Sequence, residues 1–370
     1  MPGVQSIIPQ LTPELLKHNG DRDAWRASAF PVRDYRSLVE HVAHLSYLNR
    51  HHLAFFRGQG SDYQNKAKGS TLYPAIYRGD NLAPVELEVR LRKLESASRA
   101  LVKLFKRDSI EGAHDVARKK YVQWSILQHY QVVPTPLLDI THSLRVACSF
   151  AQLAAIDSNC YVYVLGFPYP TNRISINSEE DLVNIRLLSI CPPQALRPFF
   201  QEGYMAGTPD VTSNFDTKTE LDFRNRLIAK FAISRGKKFW NDGSSGTPKT
   251  ALYPSSDQVF KLCEEVVTEM DQEIAAGDAA GRLLAEWGKL EQQFVPFTRQ
   301  LTERNVSARE AIRALEKRHL IDKQTAHLLD HVRHIRNIAA HRPGELKGQD
   351  VEVALGKLEQ LKETVSRIVK

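Results

Sequence analysis

Hydrophobic positions fall into three textures along the 370 residues. After an irregular lead-in over residues 1–30, with one short helix at Pro13-Glu14-Leu15-Leu16, residues 36–50 space their apolar side chains as an amphipathic helix does. His52–Phe56 is a short apolar run that predicts a buried strand ending at Arg57. From about Pro84 to Tyr130 the spacing is helical, as in Leu87-Glu88-Val89-Arg90-Leu91 and Ala100-Leu101-Val102-Lys103-Leu104-Phe105. It becomes helical again over Ser143–Ala151. Cys160–Gly166 alternates and is rich in β-branched and aromatic residues, so it predicts a strand. Further strands are expected near Ile174–Ile176, Leu188–Ile190, Phe199–Met205 and Ala229–Ser234, with a loop at Asp242–Pro248. Beyond residue 265 the strand signals stop. Leu283–Leu301, Ala308–Arg318, Lys323–Ala340 and Val351–Val369 then read as four helices. The expected organisation is an α+β domain over residues 1–270 with a split antiparallel sheet and a helical insertion. An all-α four-helix bundle follows over 280–370, with Ala275-Ala276-Gly277-Asp278-Ala279 as the hinge.

Composition narrows the class. Hydrophobic content of 42% and charged content of 25% are those of a globular protein. No stretch approaches the roughly 20 apolar residues of a membrane helix, and the start of the chain lacks the apolar run of a signal peptide. Cys148, Cys160, Cys191 and Cys263 show no Cys-x-x-Cys spacing, so the expectation is reduced thiols in a cytoplasmic protein and no zinc site. A net charge of +7 permits a nucleic-acid partner without requiring one.

Chemistry concentrates in Leu127-Gln128-His129-Tyr130-Gln131-Val132-Val133-Pro134-Thr135-Pro136-Leu137-Leu138-Asp139-Ile140-Thr141, where no single period fits. Asp139 and Thr141 are expected at a turn that hands over to a helix N-terminus, where side-chain oxygens meet unpaired N–H groups. Far upstream, Phe55-Phe56-Arg57-Gly58-Gln59-Gly60 ends an apolar strand in an arginine and two glycines. Together these segments resemble the FRG-domain family, named for a Phe-Arg-Gly motif met here by Phe56-Arg57-Gly58. The family's His-Tyr-Gly-x-Pro-Thr-x-Leu-Leu-Asp-x-Thr block is similar to residues 129–141, with Gln131 in place of its usual Gly and Pro136 where it often has Arg. Arg197-Pro198-Phe199-Phe200-Gln201-Glu202-Gly203-Tyr204 and Leu252-Tyr253-Pro254 resemble its later segments, so the resemblance spans roughly residues 30–270.

The order of these blocks also resembles the Arg–Ser/Thr–Glu layout of ADP-ribosyltransferases. That resemblance implies NAD as cofactor, with Arg57, Thr141, Gln201 and Glu202 as catalytic residues and Arg57, Gly58, Gln59, His129, Tyr130 and Asp139 as cofactor contacts. An arginine fork suits a pyrophosphate. Gly58 and Gly60 would admit a flat nicotinamide close to the backbone, and a carboxylate at Glu202 would face an oxocarbenium-like charge. Glu220 competes with Gln201 and Glu202 for the acidic role. The bland alternative is that Arg57 pairs with Asp139 to hold two strands, and that His129 and Tyr130 are core residues. No Gly-x-Gly-x-x-Gly or Gly-x-x-x-x-Gly-Lys-Ser/Thr occurs, which disfavours a Rossmann or P-loop site.

In the C-terminal helices, Arg336 and His341 with four residues between them resemble the Arg-(x4–6)-His motif of the HEPN family. That motif implies metal-independent RNA cleavage with His341 as acid or base. The two residues lie about 140° apart around one helix, and Pro343-Gly344 is expected to end that helix. The leading expectation is an NAD-dependent ADP-ribosyltransferase, a bacterial toxin or antiphage effector whose acceptor is nucleic acid or protein, with an antitoxin partner. Homodimerisation through the C-terminal helices is expected with it. The alternatives are a HEPN-type ribonuclease with the FRG domain as ligand sensor, and a non-catalytic binding module.

Overall fold

The computed structural model describes residues 3–79, 82–209, 218–240, 245–303, 306–341 and 348–369. The chain divides into two units, Met1–Val267 and Thr268–Lys370. In chain order the first carries α1 (Pro13–Asn19), β1 (Phe30–Pro31), α2 (Tyr35–Leu48), β2 (Leu53–Gln59), α3 (Pro84–Arg107), α4 (Ala113–Arg118), α5 (Lys120–His129), β3 (Leu138–Thr141), α6 (Leu144–Ala154) and β4 (Asn159–Phe167). It continues with β5 (Ile174–Asn177), β6 (Leu182–Arg186), α7 (Leu187–Ile190), α8 (Arg197–Phe200), β7 (Gly203–Gly207), β8 (Leu227–Ser234), α9 (Lys249–Leu252) and the start of α10 (Gln258–Thr302).

The strands form one eight-stranded sheet in the order β1-β8-β4-β2-β3-β7-β6-β5. Its pairs are antiparallel except β1 with β8. Pairing is uneven in the middle. β2 matches β4 from Leu53↔Phe167 to Gln59↔Tyr161, and β3 matches β7 from Leu138↔Ala206 to Thr141↔Gly203. Between β2 and β3 the pairing is Phe56↔Thr141 alone. The sheet is therefore weakly joined beyond Phe56, and the strands are free to part there.

Alternation along β2 sends Phe55 and Phe56 to opposite faces. Phe56 packs with Ala147, Cys148 and Ala151 of α6 and with Val162, Val164 and Phe231 of the sheet. Phe55 packs with Leu138, Ile140, Tyr163, Phe167 and Tyr204. The helix on the first face starts where Ser143 Oγ accepts from the Val146 N–H at 3.5 Å. Helix α2 starts with a reciprocal cap in which Asp34 accepts from the Ser37 N–H at 2.9 Å. Its buried Leu38, Val42 and Leu45 recur at helical spacing.

Several expected elements change type. Leu188–Ile190, expected as a strand, lies in α7, and the strand is the preceding β6. Four apolar residues before Pro192-Pro193 are too few for periodicity to separate helix from strand. Phe199–Met205 divides into α8 and β7, because Pro198 starts a helical turn that Gly203 follows as a strand. Asp139 and Thr141 sit in strand β3 instead of a turn, and the cap of α6 is Ser143. Among the described residues the long helical stretch after Pro84 is three helices, α3 to α5, inserted between β2 and β3.

One carboxylate closes this unit. Asp257 is fully buried and accepts from the Tyr130 hydroxyl at 2.7 Å and from the Leu196 and Arg197 N–H groups at 3.0 Å each. Its other oxygen accepts from the Phe260 N–H at 3.1 Å. Asp257→Ala strands these donors, so a loss of about 3 kcal/mol or more is expected. Urea unfolding followed by circular dichroism checks it, and a midpoint unchanged from the parent contradicts it.

The second unit is helical. The C-terminal part of α10 joins α11 (Ala308–Lys317), α12 (Lys323–His341) and α13 (Gly348–Val369) around Leu283, Trp287, Phe294, Leu315, Leu329 and Leu358. The expected hinge Ala275–Ala279 lies inside α10. Pro343-Gly344 and the start of the expected Asp242–Pro248 loop lie outside the described residues. No helix among the described residues is long and apolar enough to cross a membrane.

Candidate functional site

A cleft of about 460 Å³ opens where β2 and β3 part. Its wall takes Phe56, Arg57 and Gly58 from β2, Asp139 to Thr141 from β3, and Phe150 and Ala154 from α6. Residues on both faces of the sheet meet there, as expected of a gap between strands. Gln128 and His129 close it from α5, Gln201 and Gly203 from the approach to β7, and Tyr253 from the turn after α9.

Arg57 crosses the gap. Its Nη1 donates to the Asp139 carbonyl oxygen at 2.6 Å, and its Nε is buried without a partner. Burial lowers its pKa to about 10, opposed by the Asp139 charge and assisted by that of Arg78. At neutral pH it is therefore a cation. The expected alternative, an Arg57–Asp139 carboxylate pair, is replaced by a bond to the main chain. Asp139 uses Oδ2 to accept from Gln128 Nε2 at 2.8 Å. Gln128 is itself fixed, because its Oε1 accepts from the Thr135 hydroxyl at 2.9 Å and the Thr135 N–H at 3.2 Å. No described residue hydrogen-bonds Asp139 Oδ1, and Asp139 is the one carboxylate in the lining.

His129 stands at the end of α5, buried, with Nε2 unpartnered. Burial depresses its pKa, partly offset by Asp139, so the ring is neutral at pH 7. The helix end that places it is a Schellman turn. The Val132 N–H donates to the Leu127 carbonyl at 2.8 Å and the Gln131 N–H to that of Gln128 at 3.0 Å. Gln131 consequently has φ of 59°. A left-handed residue costs about 1 kcal/mol unless it is glycine, which accounts for the glycine that the FRG pattern has at this position. Gln131→Gly is expected to raise stability by about 0.5–1 kcal/mol, and a lower thermal midpoint contradicts this reading.

Other expected site residues have structural duties. The Thr141 hydroxyl is buried, donates to the Gln201 and Glu202 carbonyls at 2.8 and 3.1 Å, and accepts from the Ser143 N–H at 3.1 Å. It ties β3 to the turn before β7 and has no donor left for a ribose. Gln201 lines the cleft, but its Nε2 donates to the Leu252 carbonyl at 2.7 Å, anchoring the segment that carries Tyr253. Glu202 is exposed, lies in that turn with φ of 44°, and is outside the cleft lining. Glu220 lies in a 3-10 turn, Lys218–Leu221, also outside it. Tyr130 serves Asp257. Gly58 and Gly60 are filled from the other side. A Cβ on Gly58 would fall 1.8 Å from the Ala147 carbonyl oxygen, and one on Gly60 2.0 Å from that of Ala154. They seat α6 on β2, and the face on which a Cβ would lie leaves no room for a flat ring. Gln59 lines a neighbouring cavity.

Sequence reasoning passed over Gln128, Arg78 and Arg197. Gln128 sits one residue before His129 in the segment already singled out, so its place was visible although its role was not. Arg78 lies in no motif. Arg197 is buried beneath the site, its guanidinium 4.2 Å from the Phe260 ring centroid, 5.0 Å from that of Tyr130 and 5.2 Å from that of Tyr253. These contacts hold the wall behind His129.

In the helical unit, Arg336 donates through Nη1 to Asn337 Oδ1 at 2.9 Å, and His341 is the exposed last residue of α12. Both lie on one helix, about 140° apart, so they do not converge within the described residues. No group of three or more His, Cys, Asp or Glu side chains there is placed to hold a metal.

A mixed eight-stranded sheet opened between two central strands, with a cationic cleft in the opening, defines the first unit as an α+β domain. The family model of the FRG domain matches residues 52–160, which carry β2, α5, β3 and α6 of that opening. No curated protein and no solved structure matches the chain significantly.

Proposed function

We propose that the cleft binds a pyrophosphate-bearing nucleotide and serves an ADP-ribosyltransferase that uses NAD. The observation that carries this reading is the excess positive charge of the cleft: Arg57 is bonded to a carbonyl, has a free Nε, and stands beside Arg78 with Asp139 as the single carboxylate in the lining to offset the two cations. A desolvated cation that is only partly compensated is costly, and a phosphate that accepts two charge-assisted bonds relieves that cost. Orphaned polar atoms at Arg57 Nε and His129 Nε2 fit such a ligand.

When bound, NAD supplies an activated glycosidic bond whose cleavage places positive charge on the ribose. Arg57 and Arg78 would hold the pyrophosphate. Asp139 Oδ1, aimed by Gln128, would face the developing charge in place of Glu202. His129, neutral at pH 7, offers Nε2 as acceptor or donor to a hydroxyl. Phe56, Phe150 and Tyr253 exclude water. A transferase acting on nucleic acid or protein harms its host, so a toxin or antiphage role with an antitoxin partner belongs to the same reading.

The test is Asp139→Asn. It keeps the side chain's size while removing the charge, so NAD binding by calorimetry should stay within about threefold of the parent while ADP-ribosyl transfer falls 100-fold or more. Binding and transfer that both survive would remove Asp139 from the chemistry. Binding with no transfer in the parent protein would leave a nucleotide-sensing module.

A further inference from the structure

A second cavity of about 680 Å³ continues from the cleft along β2. Arg57 lines the first and Gln59 the second. Two residues apart on a strand, they point to the same face about 7 Å from each other. Arg78 lines both cavities. The second holds three cations, Lys66, Arg78 and Lys218, and no carboxylate.

Three features mark it as built. Gln59 is 8% exposed, and its Oε1 is buried without a partner. A buried amide oxygen left unpaired is costly in a folded protein, and a ligand N–H or O–H would pair it. Tyr63 on the rim is 62% exposed, leaving its ring open to stacking. The loop that carries Tyr63 and Lys66 is fixed at its base. There half-buried Asp62 accepts from Lys230 Nζ at 3.0 Å and from the Tyr163 hydroxyl at 2.9 Å, and Lys230 also donates to Ser70 Oγ. Farther out, the Thr71 N–H donates to the Tyr63 carbonyl at 2.8 Å, and Asn65 Oδ1 accepts from the Ala67 and Gly69 N–H groups at 3.0 Å each. Lys218 donates to the Gly79 carbonyl and lies 4.4 Å from the Tyr73 ring centroid, which holds its charge in the wall.

From these features we infer that the second cavity is a nucleoside-phosphate subsite, with the phosphate on the cations, the base on Tyr63 and a polar edge on Gln59 Oε1. The inference rests on the reading of the cleft as a pyrophosphate site. One chemistry has two sources here: the adenylate half of the donor, or a nucleotide of a single-stranded acceptor.

The double variant Tyr63→Ala/Lys66→Glu changes exposed positions, and a thermal melt matching the parent verifies its fold. Affinities for NAD, AMP and a fluorescein-labelled 12-residue oligothymidylate are then compared with those of the parent and of Arg57→Gln. A tenfold or greater loss for AMP and NAD assigns the subsite to the donor. The same loss for the oligonucleotide alone assigns it to the acceptor. Parent affinity for all three, or a parent that binds none of them, overturns the inference. If NAD binding depends on Arg57 and the double variant leaves NAD, AMP and oligonucleotide binding all untouched, the subsite falls while the cleft reading stands. If AMP or oligonucleotide binding depends on Tyr63 and Lys66 while NAD is not bound, the reverse holds.

Discussion

Arg57→Gln is expected to weaken NAD binding at least 30-fold and to abolish transfer. The guanidinium is fixed inside the gap between β2 and β3, held there by the Asp139 carbonyl at 2.6 Å with Nε unspent. A glutamine neither carries the charge nor presents a fork, and losing such a partner for phosphate costs about 2 kcal/mol or more, which is the 30-fold. The lost bond to the carbonyl should reduce stability by only about 1 kcal/mol, so the variant remains folded and the binding defect is readable. Arg57→Lys keeps the charge without the fork and should fall between the two. Isothermal calorimetry with NAD measures all three. An Arg57→Gln protein that binds like the parent would remove the arginine from ligand recognition.

Gly58→Ala should produce the largest loss of stability. Its new Cβ would lie 1.8 Å from the Ala147 carbonyl oxygen and 2.7 Å from the Ala151 nitrogen, both main-chain atoms of α6. No side chain can move aside to admit it, so the helix must withdraw from β2 and open the packing of Phe56, Cys148 and Val162. Overpacking costs about 1–3 kcal/mol when side chains yield. With backbone on both sides more than 3 kcal/mol is expected, a fall of roughly 6–12 °C in the melting temperature for a unit of this size. Gly281 on α10 supplies the contrast. It has no neighbour within 4 Å of an added Cβ, so Gly281→Ala should stabilise by about 0.5–1 kcal/mol. A Gly58→Ala protein that melts within 2 °C of the parent would contradict the seating of α6.

The fold was legible where a period is long or a strand is rich in β-branched residues. β4, β8, α2 and the last three helices follow their apolar spacing to within a few residues, whereas the expected helix Leu283–Leu301 is only the end of α10, which begins at Gln258. The fold was illegible where an element is only about one turn long. Leu187–Ile190 and Arg197–Phe200 are helical turns set by their surroundings, and a four-residue window does not separate the two periods. The motif residues were legible as a group, since Arg57, His129, Asp139, Thr141 and Gln201 all meet at one cleft. Their roles were not, because role depends on what each polar atom already bonds. Thr141 and Gln201 spend their donors on carbonyls. Gly58 faces a helix, and Glu202 lies on the exposed side of a turn. Arg78 was invisible because it enters through tertiary structure alone. The match to the FRG family over residues 52–160 covers the cleft's first half; the later segments reach it through β7 and the turn after α9.

Whether this cleft transfers ADP-ribose is tested by following label from NAD. Purified protein is incubated with labelled NAD and separate RNA, DNA and protein fractions from cells, beside Arg57→Gln, Asp139→Asn and His341→Ala. Label is expected on one fraction, absent with Arg57→Gln and Asp139→Asn and retained with His341→Ala. Unlabelled fractions together with RNA fragments that disappear in His341→Ala would contradict it and move the chemistry to α12.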